Sequence, residues 1–251
     1  MSFAPVINAL AIPNEALVEQ RVPKKLLLEQ GAPTTADKRQ IQDGIEELFW
    51  VAALKPINIG VPAFKDDVRE YLEIAVLTVA LRSTAKPPRL IELIHRAVPY
   101  PLVLVTEHGG AVNFSLAHKR WSQGEAGKVV IEDVRQIPLN PETPAAEEAS
   151  FLASIAVSRL PAHDLFALYE GLLDRVAALG AARITGTFAP PESAERASAL
   201  REGLDLHTRL KRDLAILRAR ADKEKQLNHR VELNLEIKRL EAELAATQKT
   251  L

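Results

Sequence analysis

The sequence predicts an α+β fold, in which an N-terminal, mostly antiparallel sheet with helices precedes a helical region that ends in a long coiled-coil-like helix. Apolar runs of strand length fill the first part of the chain, and a Pro- and Glu-rich segment interrupts it at residues 140–148. From about Ser193 onward there is no proline. Four segments are predicted: an α+β domain at 1–139, a linker at 140–148, a helical hairpin region at 149–192 and a long amphipathic helix at 193–251.

In the α+β part, residues 35–54 carry apolar side chains at helical spacing and predict a helix with Thr34 or Thr35 as its N-cap. The next segment, "INIG", predicts a short strand. "VREYLEIAVLTVALR" is apolar on both faces, which is typical of a central strand. The pair of prolines in "PPRLIELIHRAV" predicts the start of a second helix.

A β-hairpin is predicted around Gly109 and Gly110, because a tight turn needs residues that tolerate positive φ and an apolar run stands on each side. "GKVVIEDVRQIPL" predicts one more strand. Two amphipathic helices follow, the first ending near Pro161 and the second at Gly180.

Composition restricts the classes of function. The chain has 251 residues, a formal charge of −1 and no cysteine, which excludes disulfides, thiol chemistry and the usual zinc-ligand sets. A near-neutral charge provides no global field for nucleic acid, so any such contact must be a local patch. The longest apolar runs are strand-sized and no signal peptide is recognisable, so the sequence predicts a cytoplasmic protein without a membrane partner.

Catalytic motifs are not recognisable in the sequence. It contains no phosphate-binding G-x-x-x-x-G-K-[ST] loop, no G-x-G-x-x-G and no G-x-S-x-G. The six histidines are scattered without metal-ligand spacing. We therefore predict no catalytic residue, metal or cofactor. The alternative is a divergent metal-dependent nuclease with Glu70, Glu73, His118 and Lys119 around the sheet.

The end of the predicted hairpin carries a candidate nucleic-acid contact. His118, Lys119 and Arg120 place three potential cations beside Trp121, and cations contact phosphate while an aromatic ring stacks on a base. The alternative interpretation is a solvated strand end in which Trp121 packs against the sheet.

The C-terminal helix carries two apolar stripes. Only Gly203 interrupts its pattern, so a helix on the order of 65 Å long must project, fold back or pair with another helix. At 100° per residue one stripe includes Leu206, Leu210, Leu214, Leu217, Ala221, Glu224, Asn228, Val231 and Leu235. A second stripe, offset by about half a turn, consists of Leu233, Ile237, Leu240 and Leu244. Two stripes require two partners, or one partner that changes sides.

The first stripe predicts a partner-binding seam. Glu224 and Asn228 fall inside it, where a buried polar layer selects register and partner at some cost in stability. The predicted partner-binding residues are Glu224, Asn228, Val231, Asn234 and Leu235.

A basic flank accompanies the seam. Between Arg209 and Arg230 there are eight cations and only three carboxylates. Such a face can follow a nucleic-acid backbone or form the solvated flank of a coiled coil. The candidate nucleic-acid contacts are Arg218, Arg220, Lys223, Lys225 and Arg230.

Several segments resemble a bacterial family of unknown function, DUF4391. They are "QRVPKKLL", "IHRAVPYPLVLV", "NFSLAHKR", "AARITGTF" and, most specifically, "KEKQLNHRVELNLEIKRL". The resemblance extends from about Ala11 to Leu244. It implies a place in restriction or phage-defence loci, beside helicases and DNA methyltransferases, and it implies no catalytic residues.

These observations favour an accessory, non-catalytic subunit of a bacterial DNA-directed defence or restriction system. The resemblance implies a helicase or DNA methyltransferase encoded nearby as its partner, and DNA is a further candidate partner. Two alternatives stay open: the metal-dependent nuclease, and a self-associating scaffold that forms a homo-oligomer through the C-terminal helix.

Overall fold

The computed structural model describes residues 3–122, 124 and 129–251. The chain forms two compact units, Met1–Val176 and Ala177–Leu251, which we describe separately. The predicted boundaries at residues 139, 148 and 192 stay a prediction.

A six-stranded sheet organises the first unit. Its strand order is β1-β2-β5-β6-β7-β8, and β3 and β4 form a separate two-stranded sheet. The strands are β1 (Leu17–Arg21), β2 (Ile45–Leu54), β3 (Phe64–Lys65), β4 (Glu70–Tyr71), β5 (Ile74–Leu81), β6 (Leu102–His108), β7 (Ala111–Trp121) and β8 (Val129–Leu139). Among the described strands of the large sheet, only β5 and β6 pair in parallel, so the predicted mostly antiparallel α+β fold is confirmed.

Helices complete both units. The α-helices are α1 (Ala4–Ala9), α2 (Lys24–Gln30), α3 (Thr35–Gly44), α4 (Pro56–Ile59), α5 (Pro87–Ala97), α6 (Ala146–Ser154), α7 (Leu165–Thr185), α8 (Ala194–Lys223) and α9 (Leu227–Thr250). Helix α5 is the crossover that two neighbouring parallel strands require. Its buried residues pack with α2, α3 and one face of the sheet around Leu27, Ile41, Leu48, Leu90 and Leu104.

The other sheet face is covered by the helices that follow the sheet. Phe114 of β7 packs edge-to-face on Phe151 of α6, with ring centroids 5.8 Å apart. Tyr71 lies 5.7 Å from the ring of Tyr169 in α7. Because side chains alternate along a strand, successive residues of β7 face opposite layers of the unit.

The prediction of one helix over residues 35–54 is wrong in its second half. Helix α3 begins after Thr34, whose hydroxyl accepts the Asp37 N–H at 3.1 Å, so Thr34 is the N-cap. It ends at Gly44, and Ile45–Leu54 forms β2 between β1 and β5. The apolar spacing suited a helix, but pairing with two strands distant in sequence decided the conformation.

The short strand predicted at "INIG" is also wrong. Pro56 begins a single helical turn, α4, and the Asn58 side chain accepts the Lys55 backbone N–H at 2.7 Å. Gly60 ends the turn at a φ of 70°, which is the left-handed region that glycine tolerates.

The other predictions for the sheet are confirmed. Strand β5 is buried and central, and α5 begins at Pro87. β6 and β7 form the hairpin, with Gly109 and Gly110 at φ values of 59° and 83°. β8 follows as expected. Strand β1 and helices α1 and α2 were not predicted.

In the second unit, α8 and α9 form an antiparallel helical hairpin. Arg196, near the start of α8, donates to the Thr250 carbonyl at the end of α9. Arg218, near the end of α8, pairs with Glu241 at 2.6 Å. The apolar seam between the helices consists of Leu214, Leu217, Ala221, Leu233, Ile237, Leu240 and Leu244.

The predicted helical C-terminal region is confirmed, but its continuity is not. The helix ends at Lys223 and starts again at Leu227, while Gly203 does not interrupt α8. The second predicted stripe therefore packs on the Leu214–Ala221 part of the first, within one folded-back chain. The part of the first stripe beyond Ala221 lies after the break, so of the arrangements that the sequence left open the chain adopts the fold-back.

Within the described part of the chain, no helix has both the length and the apolar character that crossing a membrane requires.

Candidate functional site

Three successive residues of β7, all predicted to contact nucleic acid, are separated by the sheet. His118 faces α7, whereas Lys119 faces the end of α5. The register shift between Ala117 and Lys119 places the extra residue of a bulge in β8, so side chains keep alternating along β7. The structure therefore does not bring His118, Lys119 and Arg120 together as one cationic cluster.

His118 belongs to a hydrogen-bonded network. Its Nδ1 lies 2.5 Å from the Tyr71 hydroxyl, and its Nε2 lies 2.5 Å from Oε1 of Glu170. Burial raises the pKa of Tyr71, so this hydroxyl stays protonated. The Glu170 carboxylate accepts the hydrogen bond from the Nε2–H of His118. Both ring nitrogens are thus occupied, and this arrangement does not support the predicted phosphate contact of His118.

Lys119 is a buried cation at the end of a helix. Its residue is 4 % exposed, and Nζ donates to the carbonyls of Val98 and Tyr100, which follow α5. A cation at a helix C-terminus interacts favourably with the helix dipole. Burial nevertheless lowers the pKa of the Lys119 amine to about 7.

His95 and Ser115 form a second buried pair, with His95 Nε2 3.0 Å from the serine Oγ. Burial, with a contribution from Lys119, holds the pKa of His95 well below its usual range. Ser115 is fully buried. No substrate carbon can reach that hydroxyl, so the pair stabilises the packing of α5 on β7 and is not a nucleophilic site.

A pocket of about 200 Å³ opens beside Lys119. We call it the strand-end pocket, because it lies where β7 ends. The residues that define it include Glu70, Leu72, Tyr100, Lys119, Arg120 and Trp121. Trp121 therefore lines a cavity, and its backbone N–H donates to the Val68 carbonyl at 2.8 Å.

The four residues of the alternative nuclease site do not converge. Glu70 and Lys119 line the strand-end pocket. Glu73 instead pairs with Lys55 at 3.0 Å, and His118 lies on the opposite sheet face. Across residues 3–122, 124 and 129–251, no three His, Asp or Glu side chains are grouped so that they could hold a metal ion.

The α8–α9 hairpin carries the second candidate surface. We call Arg220, Lys223, Lys225 and Arg230 the basic tip, since they surround the turn between the helices and are exposed. Arg218, also predicted as a nucleic-acid contact, is instead paired with Glu241. For the four residues of the basic tip, the described residues include no ion-pair partner.

An apolar stripe lies next to the basic tip. Leu227, Val231 and Leu235, the outer stripe, are 64 %, 50 % and 63 % exposed. Their spacing of four residues places them on one side of α9. Leu233 and Ile237 occupy the other side and pack on α8. The helix is therefore apolar on two opposite faces, and only one is covered within the hairpin.

The polar residues of the predicted seam occupy the turn and the solvent side. The Glu224 carboxylate accepts the backbone N–H of Gln226 at 2.8 Å and so stabilises the turn locally. Asn228 and Asn234 are exposed on α9. Within the chain the helix breaks at this point, between Lys223 and Leu227. The role of these residues in partner binding stays a prediction.

Sequence reasoning missed the Tyr71–His118–Glu170 network and the strand-end pocket. Tyr71, His118 and Glu170 come from three separate elements, β4, β7 and α7. No local motif signals such a cluster, because only the fold brings its members together.

A family model matches residues 10–244, nearly the whole chain, under the description Domain of unknown function (DUF4391). The chain belongs to the DUF4391 family. The match includes all eight described strands, β1 to β8, and most of the α8–α9 hairpin. Comparison of this DUF4391 member with curated proteins and with solved structures found no match.

Proposed function

We propose that this DUF4391 protein is a non-catalytic, cytoplasmic accessory subunit of a bacterial DNA-directed defence or restriction complex, and that its α8–α9 hairpin docks on a protein partner. The uncovered outer stripe beside the basic tip is the observation that carries the proposal. The family resemblance suggests a helicase or DNA methyltransferase as the partner.

The outer stripe favours a protein surface over solvent. Full burial of one Leu or Val side chain contributes about 1.5–3 kcal/mol. Leu227, Val231 and Leu235 are already partly covered, so burying their remaining surface is worth on the order of 3 kcal/mol before the costs of association. Apolar residues at this spacing are typical of a helix that lies in a hydrophobic groove of its partner.

The basic tip indicates which charges surround the groove of the partner. Its four cations would lie beside the buried stripe, so the complementary partner has acidic residues around an apolar centre. DNA would match the cations, but a phosphate backbone provides no apolar surface for the outer stripe. The combination therefore favours a protein partner, and DNA binding becomes a competing outcome of the test.

The test is co-purification with the kind of partner that the resemblance implies, a helicase or DNA methyltransferase from the same genome. The double variant Val231→Asp, Leu235→Asp should lose binding at least tenfold, because it would bury two charges without partners. Ala215→Asp, an exposed position on α8, adds the same side chain away from both the outer stripe and the basic tip and should retain binding.

Changes in the basic tip separate the two kinds of partner. Lys223→Glu and Lys225→Glu should slow association with a protein partner and reduce its dependence on salt. DNA binding that these changes abolish, while the double Asp variant retains it, would contradict the proposal. A homodimer that the double Asp variant dissociates would support the scaffold instead. A monomer that binds neither partner nor DNA would also overturn the proposal.

A further inference from the structure

The strand-end pocket contains one amine among aromatic and aliphatic side chains. Side chains alternate along β7, so Lys119 and Trp121 share the sheet face on which α5 packs, whereas Arg120 points to the opposite face. Leu72 and Tyr100 also line the pocket, and both residues are exposed. Lys119 is therefore the cation that faces this cavity, and the walls around it are largely apolar.

The amine of Lys119 is held from one side. Its Nζ donates to the carbonyls of Val98 and Tyr100, which follow α5. An ammonium has three N–H groups, and a neutral amine has two N–H groups and a lone pair. The two carbonyls therefore satisfy the neutral amine completely and leave its lone pair pointing away from the end of α5. The ammonium, in contrast, keeps one N–H without an acceptor among the described residues.

The surroundings of Lys119 favour the neutral amine. No ion pair joins Lys119 to a carboxylate within the part of the chain that the structure describes. Glu70, the carboxylate that lines the pocket, pairs with Lys65 at 2.6 Å. Burial without a counter-ion penalises the charged form and lowers the pKa of the Lys119 amine to about 7. His95 of α5 stays neutral, because burial and Lys119 hold its pKa well below the usual range.

The pocket has room for one ring beside this amine. Its volume is about 200 Å³. A cavity of about 150 Å³ is enough for benzene in another protein. A lysine that is desolvated in an apolar pocket is the kind of amine that proteins use to form imines with carbonyl compounds.

We propose that Lys119 binds a small aldehyde with an aromatic or apolar substituent by forming an imine in the strand-end pocket. The lone pair of Nζ attacks the carbonyl carbon, and the oxygen takes up one proton from the nitrogen. The resulting hydroxyl group then leaves with the second nitrogen proton as water, and a C=N bond replaces the C=O bond. The step requires no oxidant or reductant. The substituent packs against Leu72, Tyr100 and Trp121.

The test is labelling of the full chain with benzaldehyde and cyanoborohydride at pH 7, with each modified lysine identified by peptide mass spectrometry. Cyanoborohydride supplies the hydride that reduces the imine to a stable secondary amine. A freely solvated lysine has a pKa of about 10.4 and is almost entirely charged at pH 7. Lys119 should therefore be labelled at least tenfold faster than Lys25, whose side chain is 81 % exposed. Equal or slower labelling of Lys119 would overturn the proposal.

The preference for Lys119 should decrease as the pH rises. The neutral fraction of Lys119 is nearly complete by about pH 8, while freely solvated lysines keep gaining neutral amine up to about pH 11. The ratio of labelling at Lys119 to that at Lys25 should therefore fall at least tenfold between pH 7 and about pH 10. A ratio that stays constant or rises would overturn the proposal. The wild-type chain suffices for both measurements, so they do not depend on a folded Lys119 variant.

A matched pair of variants tests the location. Leu72→Asp should reduce labelling of Lys119 about tenfold or more, because its carboxylate favours the ammonium and excludes an apolar ring. Leu26→Asp makes the same change at a residue that is likewise 50 % exposed but lies on α2, outside the strand-end pocket, and should leave the labelling unchanged. Equal labelling of Lys119 in the two variants would place the reaction outside the pocket and overturn the proposal.

Acetaldehyde, which has no ring, tests the apolar part of the site. It should prefer Lys119 over Lys25 less strongly than benzaldehyde does, and an equal preference would overturn the assignment of the ring to the pocket. The site lies in the sheet unit and is measured on the chain alone. A failure of this labelling is therefore distinguishable from a failure of the hairpin to dock on a partner.

Discussion

The two units of this protein treat charged and apolar side chains in opposite ways. In the sheet unit, Lys119 is buried and donates to two carbonyls, and Tyr71, His118 and Glu170 form one connected network. In the helical hairpin, the cations of the basic tip and the leucines of the outer stripe are both exposed. The first unit therefore keeps these polar and charged side chains in internal hydrogen bonds, while the second exposes its cations together with part of its apolar surface.

The sheet unit should show the largest response to a single truncation. Phe114→Ala removes a fully buried ring that packs on Phe151, so the free energy of unfolding should fall by about 3–5 kcal/mol. Urea denaturation followed by circular dichroism measures the change. A loss below about 1 kcal/mol would mean that the sheet core is loosely packed, and the contrast with the hairpin would disappear.

The hairpin should respond less, and only on its covered face. Leu217 is 7 % exposed in the seam, and Leu217→Ala should cost about 2–3 kcal/mol, because a two-helix seam relaxes around a cavity more easily than a sheet core. Its neighbour Ile216 is 52 % exposed, and Ile216→Ala should cost less than about 1 kcal/mol. Hydrogen exchange of the α9 amides reports the opening. Equal effects at the two positions would contradict the assignment of the seam.

A buried hydroxyl tests how much the internal hydrogen bonds of the sheet unit contribute to its stability. The Tyr169 hydroxyl accepts the Ala117 N–H at 2.9 Å and donates to the Leu102 carbonyl at 2.8 Å. Tyr169→Phe leaves the Ala117 amide buried without that acceptor and should cost about 1–3 kcal/mol. Thermal unfolding measures the loss. Tyr100→Phe, at an exposed ring, is the matched control and should change stability by less than about 0.5 kcal/mol.

The smallest expected effect is an acid dependence within the sheet unit. Hydrogen bonds from Arg89 and Thr34 lower the pKa of Asp37 from 3.8 to about 2. Because the folded-state pKa lies below the unfolded one, this contribution to stability is fully present above about pH 4 and is lost as the pH falls towards 2.

The variant Asp37→Asn should therefore unfold at a lower temperature than wild type at pH 7, with the difference shrinking between pH 4 and 2. Melting curves across that range measure it. Asp43→Asn, a change at an exposed carboxylate on the same helix, is the control. A difference that stays constant down to pH 2 would show that the Asp37 charge does not contribute to stability.

The predictions from sequence succeeded where the signal was local. Gly109 and Gly110 at the hairpin turn, Pro87 at the start of α5 and Thr34 as an N-cap each act through their own backbone or a near neighbour. They failed over Ile45–Leu54, whose apolar spacing is compatible with a helix. They also failed at residues 224–226, where a helical pattern continues through a turn.

The candidate sites follow the same division. The sequence identified Lys119, Arg120 and Trp121 as chemically notable, and it placed Val231 and Leu235 on an apolar stripe. It did not reveal that His118 and Lys119 face opposite layers. Nor did it reveal that Glu70 and Tyr100 join Lys119 in one pocket.

The sequence by itself determined the α+β class, the central strand, the β6–β7 hairpin and the helical C-terminal region, because periodicity, glycine and proline act over a few residues. Only the tertiary structure decided that residues 45–54 form a strand, since β1 and β5 satisfy its backbone from both sides. The fold likewise decided that α9 returns along α8, because its Leu233–Leu244 face gains more by burial against Leu214 and Leu217 than by exposure in an extended helix.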